Sequence, residues 1–207
     1  MALELDLDAL TPAERYKLLT AVVIPRPIAW VTTRSKAGVI NAAPYSFFNI
    51  FGQDPPVVIL GLEHRADGSA KDTERNIDAT GEFVVNICTP DLLTEMVGTA
   101  AAYDADVSET DALDLALAPS AKVAPPRLAN APVAIECQRM FGISLSSERQ
   151  ILLGRAVGLA ARDGLVDPVT KRVDWNGDYP VARLFADRYA RLGQIDHLTI
   201  PHPKRKL

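Results

Sequence analysis

Cysteine and histidine are scarce in this chain, with two Cys and three His in 207 residues. Cys88 and Cys137 sit in separate apolar runs without a CxxC or Cys/His spacing, so no disulfide framework or zinc pattern is present; two buried, reduced thiols are expected. His64, His197 and His202 form no HxxxH pair and share no strand face, which argues against a metal centre. Positive charge is also short. Against 26 Asp and Glu stand 22 Lys and Arg, a net charge of −4. The basic cluster Lys204-Arg205-Lys206 reads as a solvated C-terminal tail, so no nucleic-acid face is expected. No apolar run approaches the roughly 18 residues of a membrane span. The N-terminal Leu3-Glu4-Leu5-Asp6 has acids where a signal peptide has a basic region. The expected location is cytoplasmic, with no membrane partner. Dinucleotide GxGxxG, phosphate-loop GxxxxGK[ST] and nucleophile-elbow GxSxG patterns are missing, as are internal repeats.

What is there suits a single domain over residues 1–207, since 48% hydrophobic and 23% charged residues are ordinary for a globule of this size. Thr11-Pro12-Ala13-Glu14 is a capping box that starts a helix over about 11–24. Pro27–Thr33 and Val39–Ser46, separated by a Gly-containing polar loop, predict a hairpin. Val57–Leu62 and Phe83–Cys88 are continuous apolar runs that predict strands buried on both faces. Ser69 and Asp72 suggest a second capping box, with Gly81 as the helix stop. Thr89-Pro90-Asp91 predicts a third helix, and Ser108–Leu117 a short fourth. Val133–Gln138 and Ile151–Val157 alternate like half-exposed antiparallel strands, while Val181–Tyr189 reads as helix or compact turn. Six or seven strands with a few short helices predict a mostly β fold, a barrel over about 26–195 with a tail at 196–207.

Two features carry chemistry. The tract Asn41-Ala42-Ala43-Pro44-Tyr45-Ser46-Phe47-Phe48-Asn49-Ile50-Phe51-Gly52-Gln53 mixes aromatic, amide and hydroxyl groups around a proline. That mixture suits a wall against a flat, heteroatom-rich ring, with the backbone amides of Asn41–Ser46 toward the ring edge and Tyr45 and Phe47 beside it; the plain alternative is a core strand with an aromatic bend. Some twenty residues on, Ser69-Ala70-Lys71-Asp72-Thr73 places a cation and hydroxyls where a helix starts, which favours a phosphate. There the plain alternative is a capping box with a solvated lysine. Arg65 is a second phosphate candidate or an ordinary loop charge. Together a ring site and an anion site suggest a phosphorylated ring cofactor, with FMN the leading candidate. Trp30 and Trp175 read as packing residues.

These blocks also occur in a familiar order. Arg26–Thr33, Asn41–Asn49, Asp54-Pro55-Pro56, Lys71-Asp72-Thr73 with Asn76, Gly81–Asn86, Ala131-Pro132-Val133, Leu153–Val157 and Tyr189–Gly193 together resemble the flavin reductase-like FMN-binding family, nearest its flavoredoxin-like branch. The resemblance spans about residues 20–195. It implies a split β-barrel homodimer that binds FMN near the subunit interface, takes hydride from NADH or NADPH, and passes it to free flavin, a monooxygenase partner or another acceptor. It implies ring and ribityl contacts from Asn41, Ala42, Ala43, Tyr45, Ser46 and Phe47. Phosphate contacts would come from Lys71, Thr73, Ser69 and Arg65, with Arg26, Asp72, Asn76 and Arg191 as secondary contacts. No protein nucleophile is needed and no catalytic residue is named, because the flavin carries the reactivity. The competing readings are a non-catalytic FMN-binding or redox-sensing module and, more remotely, a small serine hydrolase on the same barrel.

Overall fold

Local chemistry sets the first element. In the computed structural model, which describes residues 2–65, 67–104 and 106–200, the Thr11 hydroxyl accepts from the Glu14 amide while the Glu14 carboxylate accepts from the Thr11 amide. This reciprocal cap opens α1 (Pro12–Val22). The Lys204–Lys206 cluster and His202 lie outside the described residues.

The expected hairpin follows as β1 (Ala29–Arg34) and β2 (Ile40–Tyr45), paired antiparallel with Val31 opposite Ala43. Next come β3 (Phe48–Gln53), β4 (Pro56–Glu63), α2 (Asp72–Thr80) and β5 (Glu82–Asn86). A 3-10 turn at Pro90–Leu92 leads into α3 (Leu93–Gly98), so Thr89 heads that turn rather than the helix itself. Ser108 caps α4 (Glu109–Ala112). A small ribbon of β6 (Leu117–Ala118) and β7 (Arg127–Leu128) precedes β8 (Val133–Ser146) and β9 (Arg149–Ala161), and β10 (Ala182–Arg183) pairs with β11 (Tyr189–Ala190).

The principal sheet has seven antiparallel strands in the order β2-β1-β5-β8-β9-β4-β3. Its edge strands β2 and β3 are consecutive in the chain. Laid flat, seven strands would separate these edges by about 29 Å, whereas the step from Tyr45 to Phe48 reaches about 11 Å at most. The sheet must therefore curl into a barrel, and at the turn between its edges the β3–β4 ladder runs on by one pair, the Gly61 amide donating to the Phe47 carbonyl at 2.7 Å. Inside pack Val31, Val58, Leu60, Phe83, Val85 and Leu152. Gly154 is required here, because a Cβ on it would lie 2.4 Å from Phe83 Cζ. The outer face of β1 packs a second cluster around Trp30, whose indole N–H donates to Thr99 Oγ at 2.9 Å.

Several expectations change. β4 is not buried on both faces; Val58, Leu60 and Leu62 point into the barrel while Val57, Ile59 and Gly61 remain half-exposed. β3 was not foreseen, and β8 and β9 extend well beyond the alternating stretches. Val181–Tyr189 is a strand–turn–strand corner. The Ser69/Asp72 capping box does not form: Lys71 is the N-cap of α2 and makes no side-chain cap bond, while Gly81 ends the helix at φ 75° as expected. Cys88 and Cys137 are buried free thiols, both pushed up to about 12 chiefly by burial.

Candidate functional site

Two adjoining cavities open beside the barrel seam and share Pro44, Tyr45 and Lys71 on their common edge. One, of about 460 Å³, lies between β2, the start of α2 and the segment after α3, with Asn41, Arg65, Thr73 and Glu109 on its wall. The other, of about 340 Å³, is bounded by Ser46, Phe47, Gly61, Tyr16, Arg26 and Arg183. The tract and the Lys71 motif, distinct in sequence, thus meet in space.

β2 is an edge strand, so alternate backbone groups face away from the sheet. The outward Ala42 amide donates to Glu109 Oε2 at 2.9 Å, and Asn41 Nδ2 donates to Glu109 Oε1 at 2.7 Å. Given that outward direction, the alternation sends the Asn41 and Ala43 amides into the ladder with β1. These three amides are therefore engaged within the protein, contrary to the expectation that they point to a ring. Pro44 has no N–H, and Ser46, where the ladder has ended, supplies the remaining hydroxyl on this edge. Glu109 was missed from sequence because nothing in its surroundings marks an acid that caps a distant strand. Burial holds its carboxyl above the ordinary value, against the opposing pull of these hydrogen bonds.

The same network absorbs other candidates. Thr73 donates to Asn41 Oδ1 at 2.7 Å, and Asn76 donates to Thr33 at 3.0 Å; Asn76 lines neither cavity and supports β1 instead. Arg65 donates to the Ala70 carbonyl at 2.5 Å and to Asp72 at 2.6 Å, so the two hold each other and shape the loop before α2. Ser69 gives its hydroxyl to Asp67 at 2.6 Å, is exposed and touches neither cavity. Arg191 follows β11, is exposed and lies outside both cavities.

Lys71 is different. Its side chain is 45% exposed, and its ammonium lies 3.8 Å from Glu63, a loose pair. It stands at the head of α2, where among the described residues no side chain caps the first-turn amides, leaving a cation and helix donors on one spot. Tyr45 forms the wall between the cavities. Its phenol is pushed up to about 12, mainly by burial, with the Thr73 hydroxyl opposing and nearby Glu74, Asp72 and Glu109 adding to the rise. It stays a neutral donor. Phe47 is 40% exposed, with the Arg26 guanidinium 5.9 Å from its ring centre and Tyr16 edge-on at 6.2 Å. Gly61 lies directly beneath it: an added Cβ would approach Phe47 Cβ to 2.8 Å.

The sequence model of the flavin reductase like domain matches residues 21–182. The chain belongs to the flavin reductase-like family. Its fold is the family's split barrel. The flavin reductase-like chain is 43% identical over 82% of its length to an uncharacterised protein of Deinococcus radiodurans, covering 76% of that protein. Among solved structures it resembles the 2-nitrobenzoate 2-nitroreductase of Pseudomonas fluorescens, with TM-score 0.89 and 34% identity over 99% of this chain and 100% of the other. Component B of nitrilotriacetate monooxygenase from Bacillus cereus gives TM-score 0.90 and 34% identity over 96% and 99%. Among the described residues no group of acids, His and Cys is placed to hold a metal, and no helix is long and apolar enough to cross a membrane.

Proposed function

We propose that this protein binds FMN across the two cavities and acts as an NAD(P)H-dependent flavin oxidoreductase. The observation that carries the reading is Lys71 at the uncapped head of α2, on the edge shared by both cavities. A dianionic phosphate fits that donor set: a helix N-terminus with amide donors, a full positive charge and an accessible cavity. Lys71 would take the phosphate with the first-turn amides, and Thr73, whose hydroxyl donates to Asn41, ties the start of α2 to β2. Ser46, Tyr45 and the exposed face of Phe47 would line the ring. When bound, FMN supplies the hydride-accepting chemistry.

The chain's own residues then orient and desolvate. Tyr45 keeps its proton and offers a neutral donor in the wall. Glu109, by holding the Asn41 side chain and the Ala42 amide, keeps the β2 edge straight beside the ring.

The apolar surface supports the expected homodimer. Ile50 and Phe51 on β3 are 70% and 76% exposed, and Leu145 on β8 is 62% exposed. Phe51 and Leu145 line an apolar cavity of about 440 Å³ together with Phe48, Ile59 and Ile151. A continuous patch of this kind is seldom left in water, and a second copy would cover it. The resemblance to a monooxygenase component supports transfer of reducing equivalents to a monooxygenase partner. The test is direct: purified protein should carry the visible absorbance of oxidised flavin, and NADH or NADPH should be consumed when FMN is supplied. Colourless protein that takes up no FMN would refute the binding; yellow protein that consumes neither nucleotide would leave a binding module.

A further inference from the structure

The smaller cavity holds more positive charge than one cofactor phosphate at Lys71 requires. Four cations line it, Arg26, Lys71, Arg149 and Arg183, against the one carboxylate of Glu63. Glu63 is shared, with Arg149 at 2.9 Å and Lys71 at 3.8 Å.

Arg26 and Arg183 stand directly opposite each other, with the Arg26 amide donating to the Arg183 carbonyl at 3.0 Å and the reverse bond at 2.9 Å. Like charges in opposed positions repel. Arg26 is 8% exposed and reaches only neutral acceptors: the carbonyls of Thr20 at 2.6 Å, Val23 at 2.8 Å and Leu184 at 2.6 Å, and Ser46 Oγ at 3.4 Å. Arg183 turns to the Tyr189 hydroxyl and the Ala186 carbonyl. Among the described residues neither guanidinium has a carboxylate partner. Burial lowers the Arg26 pKa, with Arg183 adding in the same direction and Tyr16 opposing. A buried, uncompensated cation beside a second one is costly, and the arrangement makes sense if an anion enters.

We propose that Arg26, Arg149 and Arg183 form an anion subsite for the second substrate, an oxyanion carried beside a planar ring that lies against Tyr16. Tyr16 lines the same cavity, edge-on to Phe47, with Arg149 5.5 Å from its ring centre. The inference rests on the flavin reading, which assigns Lys71 and the head of α2 to the cofactor and so leaves the three arginines for another ligand. A small aromatic carboxylate and the pyrophosphate of a nicotinamide dinucleotide share this chemistry.

The experiment is isothermal titration calorimetry of benzoate, its uncharged counterpart benzamide, and ADP-ribose, each with and without FMN. At low salt one of the two anions should bind at least tenfold more tightly than benzamide. Arg149→Gln and Arg183→Gln should each weaken that anion about tenfold and leave benzamide unchanged. Arg26 is left intact because it ties three carbonyls together. Tighter ADP-ribose assigns the subsite to the dinucleotide, and tighter benzoate to a small aromatic acid. Anions that bind no better than benzamide, or that are blind to both substitutions, overturn the proposal. So does Arg183→Gln protein that loses FMN as strongly as Lys71→Ala protein does, for the arginines would then hold the cofactor's own phosphate. Protein that binds benzoate through these arginines yet takes up no FMN would sink the flavin reading alone.

Discussion

Substituting Lys71 by Ala isolates the phosphate. The side chain makes no cap bond, and its contact with Glu63 is long, so its removal leaves α2 intact and Glu63 still paired with Arg149 at 2.9 Å. The melting temperature should hardly move. A fully buried charge-assisted contact is worth roughly 1.5–3 kcal/mol; at 45% exposure solvent screening brings this to about 1–2 kcal/mol. At 1.4 kcal/mol per decade, FMN affinity should fall about fivefold to thirtyfold. Riboflavin has the same ring and no phosphate, so it should bind parent and variant alike. Fluorescence titration of both ligands at low and high salt measures this, and the parent's preference for FMN should shrink as salt rises. Equal losses for the two ligands, or an FMN affinity unchanged by the substitution, would refute a phosphate at the head of α2.

Three further outcomes follow from the geometry. Glu109→Ala strands the buried Asn41 side-chain amide and leaves the Ala42 N–H without its acceptor, and should lower stability by about 2–4 kcal/mol in urea denaturation; a loss below about 1 kcal/mol would mean that water replaces the carboxylate. Gly61→Ala forces its Cβ against Phe47 Cβ at 2.8 Å and should cost about 1–3 kcal/mol, with flavin affinity falling in the same variant; an unchanged melting temperature would show that the Phe47 turn yields freely. The His64 ring contacts the Ser147 carbonyl at 2.6 Å and Glu74 at 3.0 Å, which raises its pKa above the ordinary 6.5, the Ser147 carbonyl counting most. That stabilisation is present in full below about pH 6.5 and is lost as pH climbs through the raised value, so His64→Gln should flatten the decline seen by thermal melts on the alkaline side.

Legibility from sequence tracked how local the determining physics was. The Thr11/Glu14 cap, the β1–β2 hairpin and the Gly81 stop are decided within a few residues, and all three formed as their residues indicate. β3 was hidden because Phe48–Gln53 lacks alternation; its exposure runs almost unbroken from Asn49 on, as suits a strand at the barrel edge. The helical alternative for Val181–Tyr189 gave way to a corner pinned by the distant Arg26. In the candidate site, the tract and Lys71 could be recognised because they are contiguous. Tyr16, Arg149 and Arg183 could not, since they reach the cavity from α1, β9 and β10, far apart in the chain. Asn76, Ser69 and Arg191 show the reverse limit: motif neighbours need not share a wall, and a polar residue near a phosphate signal can be wholly occupied in support.

The seam that closes the barrel has a thermodynamic side. β2 lies at the sheet's edge, flanked by β1 on one side, and the Phe47–Gly61 bond beside the cavities continues the β3–β4 ladder, so among the described residues no strand pairing ties β2 to β4. A ligand resting on Ser46, Phe47 and Lys71 would span this join as a clasp, linking the β2 edge to the strand and helix opposite. Cofactor uptake would then slow amide exchange along β4 and α2 together, well beyond the residues it touches, since sub-global opening starts where a structure is least cross-braced. Apoprotein should be correspondingly vulnerable to proteases at the Ser46–Phe47 turn, and holding the cofactor would be part of how the barrel stays shut.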